Sequence, residues 1–174
     1  MTVRPIRYLG DPVLRKPAKK VSRVDDSIRR LIADMTESMY AAHGVGIAAP
    51  QIGVGLRVVV IGMPDEEPFA LINPEVIKRS SERRIDEGCL SVPGYRGTVT
   101  RSLSVVVKAL DENGREVRVK AEGDMLAQCL EHETDHVNGL LYVDRLVAKT
   151  DLVKLSTPRV AAGGGEDEEG DEEI

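Results

Sequence analysis

The pentapeptide His132-Glu133-Thr134-Asp135-His136 acts as a unit only on a helix, because a spacing of four residues stacks two side chains on one helical face. The flanking residues agree. Leu126, Leu130 and Val137 recur at helical spacing after Asp124, and Gly139 stands where a helix would stop, so residues 124–137 are predicted to be helical. Leu130, Val137, Leu140 and Leu141 make that helix a buried one. Buried imidazoles and a carboxylate need partners, and a metal ion shared by His132 and His136 supplies one. The remaining histidine of the chain, His43, ends an earlier helix and reads as a cap on its dipole.

Two histidines leave a third protein ligand to be found. A histidine six residues beyond His136 is absent, since position 142 is Tyr142. No glutamate follows Glu133 until the acidic C-terminus. Cys129 is seven residues from His136, roughly 10 Å along a helix axis at 1.5 Å per residue, and so packs beside the site instead of ligating. Cys89 remains. It lies in Glu87-Gly88-Cys89-Leu90-Ser91-Val92-Pro93-Gly94, where flanking glycines permit a tight backbone close to a ligand. Two imidazoles and a thiolate, with Glu133 adjacent but not coordinating, leave the fourth position to water, which is a catalytic and not a closed structural arrangement. Zinc, iron, cobalt and nickel all suit this donor set.

The rest of the chain is read for one domain of 174 residues, long enough for a single core. Residues 25–43 carry an amphipathic helix, with Ile28, Leu31, Ile32, Met35 and Met39 on one face, Asp25 or Asp26 as cap and Gly44 as terminator. Leu56 to Ile61, Phe69 to Ile72, Ser102 to Leu110 and Glu116 to Val119 read as strands, the last two joined by a turn at Asp111-Glu112-Asn113-Gly114. The apolar run Val58 to Ile61 is too short to span a bilayer, and the basic N-terminus lacks the apolar stretch of a secretory signal, so a cytoplasmic location is expected. The two cysteines then carry no disulfide framework. No tryptophan and a single phenylalanine, Phe69, leave little for base stacking, and sequence-specific nucleic-acid binding is not expected. Residues 163–174 contribute seven acids and no base, turning a formal +2 over residues 1–162 into −5 for the whole chain. With almost no apolar residue to bury, residues 161–174 are expected to form a disordered acidic tail after a domain spanning residues 1–160.

Three segments together make the sequence resemble the bacterial peptide deformylases over nearly all of residues 1–160: Gly44-Val45-Gly46-Ile47-Ala48-Ala49-Pro50-Gln51, Glu87-Gly88-Cys89-Leu90-Ser91 and His132-Glu133-Thr134-Asp135-His136. The resemblance implies an α+β fold, with antiparallel strands around a central helix that carries the HExxH motif. It implies removal of the formyl group from the N-terminal formyl-methionine of nascent polypeptides, with transient contact to the ribosome. On the matching residues, Cys89, His132 and His136 would be the metal ligands, Glu133 base and then acid, and Gln51 and the Leu90 backbone N–H the oxyanion donors. Val45, Gly46, Glu87, Arg96, Met125 and Cys129 would lie around the substrate groove. Among the metals, only the resemblance points to Fe(II). Position 131 departs from the family pattern, with Glu131 where glutamine is usual. Two rival readings use the same motif. A metal-stabilised binding module without turnover leaves Glu133 and Gln51 without a purpose, and a zinc peptidase would cleave internal peptide bonds.

Overall fold

The computed structural model describes residues 1–156; the expected domain boundary at residue 160 and the acidic tail lie outside the described residues. Helix α1 (Asp26–Ala41) starts where the Asp25 carboxylate accepts hydrogen bonds from the N–H groups of Ser27 and Ile28, at 2.9 and 3.2 Å. Asp25 is therefore the cap. The buried face is Ile28, Leu31, Ile32, Met35 and Met39, as the spacing predicts. The end of the helix differs from expectation. His43 takes a left-handed φ of 55°, and the Gly44 N–H closes on the Met39 carbonyl at 2.9 Å. His43 thus leaves the helix, and it lines the cavity described below.

Among the described residues the strands form one antiparallel sheet. Strand β1 (Gly46–Ala48) pairs with β2 (Val58–Ile61), and β2 pairs with β3 (Phe69–Cys89). Next comes β4 (Val92–Leu110), flanked by β3, β5 (Glu116–Glu122) and, at its start, the short β6 (Leu152–Lys154). The predicted turn holds: the Asp111 carboxylate accepts from the N–H groups of Asn113 and Arg115 at 2.8 and 2.9 Å. The expected strands ending at Ile72 and starting at Ser102 are parts of a much longer hairpin, which runs on to the pair Cys89 and Val92. None of residues 77–86 is buried, so the β3 arm of this ladder gives no burial pattern to read, whereas the paired β4 arm alternates, with Val99, Arg101, Val105 and Val107 buried.

Alternation along β2 explains how four consecutive apolar residues are all buried. Val59 and Ile61 join Leu71, Val105, Val107, Leu130 and Val137 in a core beneath helix α2 (Met125–Val137). Val58 and Val60 face the other way, onto Ile28, Met35 and Met39 of α1. The sheet is thus covered on both sides at this end, and α2 is held against β1 and β2 with its motif residues inside. A smaller cluster of Val92, Val99 and Tyr142, with Leu146 and Leu152, closes the region where β6 joins β4.

Candidate metal centre and active site

Asp124 caps α2 by accepting the Ala127 N–H at 2.8 Å, which fixes where the motif falls along the helix. His132 and His136 follow one turn apart, their rings 4.8 Å between centroids and inclined at 71°. Their Nε2 atoms are 3.2 Å apart. Cys89 ends β3, and the tight turn that follows brings its Sγ to 3.3 Å from His136 Nε2. The three donor atoms all lie within 4.8 Å of one another. Donors bound to one tetrahedral ion at about 2.0–2.3 Å are themselves separated by about 3.4–3.6 Å, so these residues fit a metal nearly as they stand. The sulfur also receives the Ser91 N–H at 3.4 Å and the Gln51 amide at 3.6 Å. Of the two glycines flanking Cys89, Gly94 takes φ 79°, whereas a side chain at position 88 would meet only ordinary contacts. The tight backbone therefore depends on the second glycine alone.

Behind the three donors lies a buried ionic network that the sequence did not disclose. His132 Nδ1–H donates to the Glu87 carboxylate. Glu87 also accepts from Arg101 Nε at 3.0 Å and Nη2 at 2.6 Å, and Arg101 donates its remaining Nη1 to Asp135 at 2.6 Å. Arg145 closes the chain with two bonds to Asp135, at 2.7 and 2.6 Å. Burial alone would raise Glu87, but the hydrogen bonds from His132 and Arg101 hold its carboxyl down at about 2. Glu87 does line the cavity as expected, yet its oxygens are occupied in orienting His132, the carboxylate–histidine pairing seen behind many metal ligands. Asp135 anchors Arg101 in that network. Arg101 had no signal: a buried arginine reads like any other until its partners are placed around it, and here it is 1% exposed. Glu131 points away from the ligands. Its carboxylate accepts the Ser102 N–H at 2.7 Å, the Ser102 hydroxyl at 3.0 Å and Arg79 Nε at 3.0 Å, tying α2 to the sheet.

The three donors open into a cavity of about 460 Å³. His136 is buried beneath it, and every other expected site residue lines it: Cys89, His132, Glu133, Gln51, Leu90, Val45, Gly46, Glu87, Arg96, Met125 and Cys129. Glu133 is 3% exposed, its Oε2 has no partner among the described residues, and burial pushes its carboxyl up to about 7. A Cβ at position 46 would come within 2.6 Å of the Glu133 carboxylate and 2.5 Å of Cys129 Sγ, so only glycine lets β1 approach this closely. Gln51 is turned by its own backbone, with Oε1 accepting the Ala48 N–H at 2.8 Å, which leaves Nε2 toward Cys89 and Ser91. The cavity also includes His43, Tyr95 and Leu155, none of which the sequence analysis placed at the site. The adjacency of His43 to the Gly44 segment was the available signal for it. Tyr95 follows Gly94 directly, and Leu155 offered none.

Comparison with known proteins adds a family. The model of the family described as polypeptide deformylase matches residues 3–151. A peptide deformylase of Dehalococcoides mccartyi (strain BAV1) is 49% identical over 175 residues, spanning 100% of this chain and 99% of the relative. That of Natranaerobius thermophilus is 47% identical over 146 residues, 83% of this chain and 93% of the relative. Among solved structures, a peptide deformylase from Legionella pneumophila superposes with a TM-score of 0.82 at 47% identity, covering 86% of this chain and 89% of that one. One from Synechococcus elongatus, in complex with actinonin, gives 0.81 at 44% identity, covering 85% and 81%.

Proposed function

The chain belongs to the polypeptide deformylase family, and on that premise we propose how its residues remove the formyl group from the N-terminal formyl-methionine of nascent polypeptides. It is a metal-dependent hydrolase that releases formate. The observation that carries the residue assignment is the convergence of Cys89 Sγ, His132 and His136 within 4.8 Å, beside a buried carboxylate with an oxygen that has no partner among the described residues.

Cys89, His132 and His136 hold one divalent ion. When bound, the ion supplies Lewis acidity, polarising the formyl oxygen and lowering the pKa of water toward neutrality. Glu133 takes the proton of the attacking water and later gives one to the departing amine. Gln51 Nε2 and the Leu90 N–H donate to the oxygen as it gains charge, each such donor being worth about 3 kcal/mol of barrier. Glu87 keeps His132 in the tautomer that presents Nε2, and Arg101 with Asp135 keeps Glu87 ionised. Val45, Met125 and Cys129 offer the apolar wall for the methionine side chain, with Gly46 admitting the main chain and Arg96 at the rim. A formyl carbon carries only hydrogen and passes where an acetyl group would meet Glu133. Formate release from a formyl-methionyl peptide, with no acetate from its acetyl counterpart and no cleavage of internal peptide bonds, is the result that tests this reading and separates it from a peptidase.

Fe(II) is the proposed working metal, in a cytoplasmic protein; among the described residues no helix is long and apolar enough to cross a membrane. Protein loaded with Fe(II) should lose activity in air, while protein loaded with Ni(II) should keep it. Equal decay curves for the two would count against iron.

The substrate is carried by the ribosome, a polyanion, and contact with it is part of the proposal. Every assigned residue lies between 43 and 155, so truncation after Gly163 should leave kcat/KM on a short formyl-methionyl peptide unchanged. Removing seven acids should tighten ribosome binding at low salt, and the gain should vanish as salt rises. A sedimentation assay across ionic strengths reads this, and affinity that does not move at any salt would reduce the tail to a solubility device.

A further inference from the structure

Leu155 lines the same cavity as Cys89, His132 and Glu133, although it lies 19 residues beyond His136 and outside the residues 3–151 that the family model matches. Its position is fixed by backbone. Strand β6 pairs Lys154 with Tyr95 and Val153 with Arg96, and the Leu155 N–H then donates to the Gly94 carbonyl at 2.8 Å. Residues 152–155 are thus hemmed onto the start of β4, and the Leu155 side chain becomes one wall of the mouth. Large apolar side chains are normally covered, yet three at this mouth are not: Leu155 is 48% exposed, Met125 52% and Tyr95 37%. Apolar surface left open around one opening favours a ligand that covers it.

The reaction fixes which part of a substrate arrives there. The formyl carbon must sit at the ligands on the floor, so the methionyl residue comes next and the following residue lies nearer the rim. We propose that Leu155 is a specificity-determining residue, which packs against the side chain following the formyl-methionyl residue and favours an apolar group in that position. The inference rests on the deformylase reading and names the substrate class within it.

The test compares kcat/KM of the metal-loaded protein on formyl-Met-Leu-Ser and formyl-Met-Ala-Ser. Wild type should prefer the leucyl peptide. Leu155→Ala should reduce that preference by about threefold or more, through KM with kcat preserved, a size set by the loss of methylene contacts at a half-open site. Leu155→Gln, of similar volume but polar, should do the same, and Leu155→Met should retain the preference. Val153→Ala is the control: Val153 is on the same strand and 58% exposed, but does not line the cavity. It should change neither peptide's kinetics. A preference equal in wild type, Leu155→Ala and Leu155→Gln, or an equal loss on the two peptides, would overturn the assignment. Absence of formate from both peptides with wild-type protein would overturn the deformylase reading itself.

Discussion

Replacing Glu133 with alanine should leave the metal bound and lower kcat by about 10²–10⁴-fold, the range typical of general acid–base groups. The carboxylate lies between the two histidines on α2 but is not one of the three converging donors, so its removal takes nothing from the ion. Stability should not fall either. Glu133 is 3% exposed, and its Oε2 has no partner among the described residues, so truncation removes a desolvated group without orphaning another. Elemental analysis beside formate release reads both halves. Loss of metal in this variant would make Glu133 a ligand and contradict its role as base.

Cys89→Ala should have the opposite signature, in which the metal goes first and activity follows. Changing a residue that merely supports a ligand weakens metal binding by about 10–100-fold, and removing the only thiolate from a three-residue site should exceed that. Chelator competition with Co(II)-loaded protein measures it directly. Cys129→Ala is the matched control, because Cys129 is buried against the Val45 carbonyl at 3.7 Å and is not among the donors. If Cys129→Ala emptied the site and Cys89→Ala did not, the ligand assignment would be inverted.

The two cysteines also illustrate what the sequence could and could not disclose. Helix α2 was readable because Asp124, Leu126, Leu130 and Val137 act locally, through a cap and a 3.6-residue stripe. Cys89 was reachable by elimination, since the alternatives failed on chain distance or on residue type. Arg101 and Glu87 were not legible as a pair with Asp135, because their partnership depends on β3, β4 and α2 meeting, and nothing within a few residues of each records that. The long hairpin was missed for a different reason: on β3 none of residues 77–86 is buried, and on β4 the buried positions include the polar Arg101 and Ser102, so apolar residues do not mark the period. Strand β6 is three residues long, too short for any period, and with it went Leu155. Even α1 kept one surprise, in that His43 and not Gly44 takes the left-handed turn.

Catalysis is proposed to run at an ion held by Cys89, His132 and His136. The decisive measurement is formate release from a formyl-methionyl peptide by protein purified without oxygen, plotted against metal bound per chain as the ion is removed and restored. Activity that rises in proportion to occupancy, reaches its plateau at one ion per chain and disappears in Cys89→Ala is the predicted result. Formate release that persists in metal-free protein, or that saturates without reference to those three ligands, would contradict it.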